Sequence, residues 1–180
     1  MASAISHALM AITIGKTYPQ KETVLRFVLL GCFCAVIPDA DVLSFQFGIS
    51  YDDFFGHRGF FHSFLFCLFL AVLITFLFYR HIPLTSKKGL LYISFFCLCG
   101  VSHGLLDMLT DGGRGVAIFA PFDNTRYFFP WRPIKVSPIK AARFFSERGW
   151  IVIKNEFIWI GIPCLIYMFA LKAIRKLKGR

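Results

Sequence analysis

Long apolar runs alternate with short polar stretches along the chain, and residues 4–15, 24–37, 62–79, 89–109 and 151–171 carry few or no charges. A helix crossing a bilayer needs about 20 mainly apolar residues. The last three runs approach or meet that length and predict membrane spans. The first two are shorter, and each fits a tilted span, a re-entrant hairpin arm or a helix in a locally thinned bilayer. Both are read as spans. The predicted fold is an all-α, polytopic membrane bundle of about five transmembrane helices. No repeat, low-complexity stretch or long linker divides it, so residues 1–180 form one domain with an outer loop near 110–150.

Composition agrees with the pattern: 57% of residues are apolar, 23 are Phe and only 17% are charged, which excludes an ordinary soluble domain. The opening segment lacks the basic residues that precede a signal peptide's apolar stretch, so it is expected to stay attached. Cys32, Cys34, Cys67, Cys97, Cys99 and Cys164 all lie inside apolar runs. Neither a disulfide nor a thiolate metal site is expected from them.

Basic residues cluster at three places: Lys16, Lys21 and Arg26; Arg80, Lys87 and Lys88; and Lys172, Arg175, Lys176, Lys178 and Arg180. Five spans put all three clusters on one side, which the positive-inside rule makes cytoplasmic. The N-terminus is then outside and the C-terminus inside. These flanks account for the net charge of +10, so no nucleic-acid partner is expected.

The same map places the chain's histidines and acids at the outer ends of the spans. His7 lies early in the first, Asp39 and Asp41 end the second, His57 and His62 open the third, and His103 and Asp107 end the fourth. Groups of this kind are costly at membrane depth and mark a site. His103 and Asp107 are four apart, so on a helix they share a face and can share an ion. Taken alone, that pair is also an ordinary polar contact between helices, as is a single His7. Pro38 can end a helix and leave Asp39 and Asp41 near the interface, although a simple Asp and Pro turn looks the same. Gly56 and Gly59 allow a bent backbone that delivers His57 from a loop and His62 from the next helix. His81, beside Arg80 with no acid nearby, is read as an interface residue.

The outer loop carries Asp111-Gly112-Gly113-Arg114-Gly115, which can expose backbone N–H groups to an anion, and then Arg126, Arg132, Lys135, Lys140, Arg143 and Arg148. Tyr127, Phe128, Phe129, Trp131, Phe144, Phe145 and Trp150 are interleaved with these bases. That composition suits a segment at the lipid headgroups, either as a plain interfacial connector or as part of a binding site for an anionic small molecule or lipid.

Early Ser6-His7, then Pro38 to Asp41, then His57-Arg58-Gly59-Phe60-Phe61-His62-Ser63, then His103 to Asp107 form an ordered set. In this set the chain resembles the bacterial inner-membrane proteins described as metal-dependent hydrolases. One branch of these is named for control by LexA, the repressor of the DNA-damage (SOS) response. Phe61 stands where that family often has Thr, which loses a hydroxyl but no ligand. The order of His and Asp is also distantly similar to zinc-dependent phospholipase C and the S1/P1-type nucleases. That likeness implies ligand roles for His7, Asp39, His62, His103 and Asp107, but the further ligands of a three-metal cluster have no counterpart here.

The expected cofactor is therefore one or two divalent ions, zinc above others for imidazole and carboxylate donors, with His57 as a further candidate ligand. Asp41 and Asp111 are candidates to hold or deprotonate a water, and Arg58 and Arg126 to neutralise charge on a phosphoryl group. The function these residues imply is hydrolysis of a phosphate ester or phospholipid at the outer leaflet. A transporter or ion-conducting protein is the alternative, as is a noncatalytic scaffold whose metal ties helix ends together.

Overall fold

The computed structural model describes residues 1–18, 24–139 and 141–179, with the backbone alone at 141 and 142. Lys21, Lys140 and Arg180 of the basic clusters lie outside the described residues. Helix α1 spans Ala4–Thr17, and α2, Val24–Val36, runs directly into a 3-10 segment, Ile37–Phe47. Then come α3 (Phe64–Phe78), α4 (Lys87–Met108), the short α5 (Ala141–Phe144) and α6 (Glu147–Glu156), which continues through a π turn, Phe157–Gly161, into α7 (Ile162–Leu177). Among the described residues no strand forms. Two isolated bridges pair Thr110 with Ile134 and Val116 with Tyr127.

Serines start three of these helices for a common reason: the first turn has N–H groups with no helical acceptor, and a serine hydroxyl supplies one. Ser3 accepts from the Ser6 N–H, Ser63 from Phe66 at 3.1 Å and Ser86 from Gly89 at 3.0 Å. Pro38 does not stop the second helix, as its sequence position suggested. It sits in the first turn of the 3-10 segment, where a missing N–H costs nothing, and Gly48 ends that segment in the left-handed region at φ 74°.

The structure redistributes the span lengths. Val24–Phe47, Lys87–Met108 and Glu147–Leu177 are long and apolar enough to cross a membrane. The run predicted at 62–79 yields a helix of 15 residues, roughly 22 Å at 1.5 Å per residue, because Ser63 caps it late and Phe78 ends it early. The 24–37 run, predicted as short, gains length from its 3-10 extension.

Close approach of α2, α3 and α4 forms the core. The Phe27 and Phe95 rings stack at 3.9 Å, with Phe96 and Tyr92 against them. Gly31 permits this contact, since a Cβ there would meet Phe95 Cζ at 2.5 Å. Cys34, Cys67 and Cys99 fill the same core. By contrast α7 leaves Ile166 and Phe169 exposed, as a lipid-facing helix does.

The outer loop is partly built onto the helix ends. Ala117 N–H donates to the Arg58 carbonyl at 3.0 Å, Phe64 N–H to Ile118 at 2.9 Å and Phe129 N–H to Met108 at 3.1 Å. Val116, Ala117 and Ile134 are buried by these contacts, while Phe119, Phe122, Trp131 and Phe145 stay exposed.

Candidate metal centre

Three elements deliver four buried polar side chains to one point. Asp39 comes from the 3-10 segment, His62 from the turn before α3, and His103 and Asp107 from successive turns of α4. Each offers a ligand atom, and the four atoms lie within 4.8 Å of one another. His62 Nε2 and His103 Nε2 are 3.0 Å apart; Asp39 Oδ1 is 3.3 Å from His103 and 3.6 Å from His62; Asp107 Oδ2 is 3.8 Å from His62 and 4.0 Å from His103. A tetrahedral ion with bonds of about 2.0–2.1 Å sets its ligands about 3.3–3.4 Å apart. The observed separations bracket that edge.

Proton accounting argues for a cation. The Ala35 carbonyl, 2.7 Å from His103 Nδ1, can only accept, so Nδ1 carries the hydrogen and Nε2 turns a lone pair inward. His62 Nδ1 faces Asp41 Oδ2 at 3.1 Å without forming a hydrogen bond, and its Nε2 points at His103. With the hydrogen of each ring on Nδ1, the two Nε2 lone pairs face each other and repel unless a proton or a metal ion lies between them. Both Asp39 oxygens and Asp107 Oδ2 are buried without a hydrogen bond. The three buried carboxylates of Asp39, Asp41 and Asp107 face one buried guanidinium, Arg58, with the Met1 amino group 4.0 Å from Asp107 Oδ1 at the rim. Leaving such charge uncompensated is costly, and a divalent ion compensates it.

Asp41 and His57 stand behind these donors. His57 Nδ1 is 2.6 Å from Asp41 Oδ1, a hydrogen-bond length shorter than a tetrahedral edge, and Asp41 Oδ2 also accepts the Arg58 N–H at 2.9 Å. Asp41, His57 and His62 form a second group able to hold an ion, but its distances are those of a carboxylate orienting two imidazoles.

Arg58 is fully buried at a positive φ of 63°, uncommon for a residue with a side chain. Its Nε lies 3.0 Å from Asp107 Oδ2, and its two terminal nitrogens donate to the Gly112 carbonyl and Thr110 Oγ1, each at 3.0 Å. The guanidinium is thus engaged by the protein. The glycine turn at 112–113 seats it: Gly113 has φ 89°, and a Cβ there would lie 2.5 Å from Arg58 Nη1. A carbonyl of this turn faces a cation here, where the sequence suggested N–H groups facing an anion.

The remaining candidates lie around this centre. His7 is fully buried and stacks on His103 at 3.8 Å, with Nε2 3.6 Å from Asp107 Oδ1, yet it belongs to neither group of ligand atoms. Asp111 binds Lys135 Nζ and the Val136 N–H, both at 2.8 Å, clasping the outer loop. Partial burial opposes ionisation of its carboxyl, but those two partners outweigh burial and hold it below the ordinary range. Arg126 donates to the carbonyls of His57 and Tyr51 at 2.8 Å. His81 is exposed and outside both groups.

The sequence marks Glu156 as the one candidate ligand of the last span, but its partners escape it. Glu156 is buried and accepts from Ser3 N–H, Ser3 Oγ and Ser6 Oγ at 2.6, 2.5 and 2.8 Å, which docks the start of α1 on α6. The neighbouring Ala2 N–H then donates to Asp107 Oδ1 at 2.7 Å. The π turn directly after Glu156 is a feature often found near functional sites, but its sequence carries no signal for it.

Fold and centre together define a polytopic helical membrane protein with a buried cluster of imidazoles and carboxylates that could hold a metal ion. The model of the YdjM inner membrane protein family matches residues 1–178, and the chain belongs to that family. It is similar to the inner membrane protein YbcI of Escherichia coli (strain K12), with 37% identity over 168 residues, 93% of this chain and 95% of that protein. No solved structure matches the chain. Family and apolar helices together support an inner-membrane location.

Proposed function

We propose that the protein is a membrane-bound, metal-dependent hydrolase whose centre holds a divalent ion at Asp39, His62, His103 and Asp107. The observation that carries this reading is the convergence of two imidazole nitrogens on buried carboxylate oxygens that accept no hydrogen bond. Zinc suits two imidazoles and two carboxylates at tetrahedral spacing. One ion is favoured over two, because the 2.6 Å contact of His57 with Asp41 commits both to a hydrogen bond. An ion of this kind polarises a phosphoryl or carbonyl oxygen and acidifies water toward a pKa of about 7.

The chain's own residues prepare that chemistry. Asp41 faces His62 Nδ1 at 3.1 Å, and with His57 it forms a hydrogen-bonded pair able to hold a proton beside the centre. Arg58 holds Asp107 in place. Asp39 is the one member of the four with measurable exposure, 8%, so approach to the centre passes over it.

A lipid-like phosphate ester fits the surroundings. A cavity of about 380 Å³ adjoins Asp41, walled by Leu43, Phe47, Phe55, Phe61 and Phe66, and one of its few polar members, the buried Ser44 hydroxyl, has no partner. Such walls accept an acyl chain and reject a soluble nucleotide. The positive-inside arrangement sets the centre near the periplasmic face, with the N-terminus outside and the C-terminus cytoplasmic.

A second reading, a structural ion that ties helix ends together, is favoured by the burial of all four ligands. Detergent-purified protein offered phospholipids, lipid phosphates and soluble phosphodiesters decides between them. Chelator-sensitive turnover of any member supports the hydrolase. Bound metal with four protein ligands in X-ray absorption, and no turnover, supports the structural ion.

A further inference from the structure

The cations near the metal centre are committed: Arg58 to Asp107, Arg114 to Asp52 and Lys135 to Asp111. The other end of α1 is different. There Lys16 meets Lys172, Arg175 and Lys176 of α7 around a cavity of about 590 Å³, whose other walls are Leu165, Met168, Phe169 and Leu171. Among the described residues no acid lines this cavity and none of its four cations has an ion-pair partner. Arg175 donates to the Lys16 carbonyl at 2.6 Å and the Thr17 carbonyl at 3.5 Å and so ties α7 to the last turn of α1.

We propose that this cavity binds the headgroup of an anionic phospholipid. Charge complementarity selects the headgroup, since four unpaired cations gathered on one cavity repel each other until an anion joins them. The apolar half of the cavity selects a lipid over a free anion. It continues into the exposed face of α7, where Ile162, Ile166 and Phe169 offer a track for acyl chains. A cavity between spanning helices, apolar on one side and basic on the other, is a recognised form of anionic-lipid site. The basic flank that orients any membrane protein needs neither a cavity nor an apolar wall. His7 and Lys16 are nine residues apart on α1, about 13 Å of helix rise, so this site is separate from the metal centre.

The lipid would bridge α1 and α7 and stabilise their contact. Thermal unfolding of the purified full chain in mixed micelles tests this, with phosphatidylglycerol, phosphatidylcholine or inorganic phosphate added in turn. Phosphatidylglycerol is expected to raise the unfolding temperature in a saturable way, and the other two are not. Lys172→Gln with Lys176→Gln is expected to weaken that response about five-fold per charge removed. Lys87→Gln with Lys88→Gln, which removes equal charge at another basic cluster, is expected to leave it intact. Lys16→Gln, a single exposed change that spares α7, is expected to give a partial loss. Equal responses to all three additives, or equal losses in the Lys172/Lys176 and Lys87/Lys88 variants, would overturn the proposal.

Discussion

His62 and His103 reach each other from different elements with their Nε2 atoms 3.0 Å apart, the other ring nitrogen of each facing an oxygen: the Ala35 carbonyl for His103 and Asp41 Oδ2 for His62. A proton or a shared metal ion has to lie between two such nitrogens, and the buried Asp39 oxygens beside them, which have no hydrogen bond, favour the metal. Removing one ring opens the coordination set, so His103→Ala is expected to reduce bound metal from about one ion per chain to a small fraction of that. Elemental analysis of protein purified in parallel reads this directly. Wild-type protein without metal, and no different from the variant, would end the metal reading.

Asp41 is not one of the four ligands, yet it lies 3.1 Å from one of them, His62. Asp41→Asn keeps the size of the side chain and removes the charge that orients His62 and binds His57. Metal affinity should fall about 10–100-fold while the folded state persists. Titration with a competing chelator gives the ratio, and circular dichroism checks the fold. An unchanged affinity would mean that His62 is held by packing alone.

That His7, Asp39, His57, His62, His103 and Asp107 gather in one place was legible in the sequence because apolar runs leave polar residues conspicuous at their ends. The helical spacing of His103 and Asp107 was equally plain. The division of labour was not legible. Asp39 and Asp41 differ by two positions, but only a 3-10 segment turns one to the ion and the other to two histidines, and Pro38 looked like a helix stop. Arg58 resembled a free anion binder because its partners, Thr110 and Gly112, are distant in sequence. Glu156 stood out as the one acid of the run 151–171, but nothing local pairs it with Ser3 and Ser6.

Gly113 and Gly48 both have positive φ, but only Gly113 has a neighbour in the way. A Cβ there would lie 2.5 Å from Arg58 Nη1, whereas at Gly48 it meets nothing within 4 Å. Gly48→Ala should cost about 1 kcal/mol from backbone strain alone. Gly113→Ala should cost about 2 kcal/mol or more and also loosen metal, since Arg58 holds Asp107. Thermal unfolding with metal analysis on both variants separates strain from displacement. Equal costs and equal metal content would contradict the packing of Arg58 on this turn.

Asp111 ties the outer loop through Lys135 and Val136, and these two partners hold its carboxyl below the ordinary carboxylate range. A carboxyl depressed in the folded state favours folding while ionised, so its contribution is present above the unfolded value and lost as pH falls through the folded one. The pair is partly exposed, which limits it to under about 1 kcal/mol. Asp111→Asn should speed proteolysis between residues 112 and 139 at pH 7. Hydrogen exchange of the same segment should differ between the proteins at pH 7 and converge only as pH falls below the ordinary carboxylate range. A difference that persists at the lower pH would assign the clasp to packing.

Glu156 gathers three donors from the start of α1, and the Ala2 N–H beside them reaches Asp107. Glu156→Gln replaces one accepting oxygen by a donor facing other donors, at a cost of about 2 kcal/mol for hydrogen bonds to a charged group. Undocking α1 should also carry His7 and the Ala2 N–H away from Asp107, so metal affinity should drop together with stability. A double-mutant cycle with Ser6→Ala isolates the link. If Glu156 acts through these serines, the second substitution adds little once the first is present. Additive losses would show that Glu156 serves α6 alone, and that the start of α1 is held by the Ala2 and Asp107 contact without it.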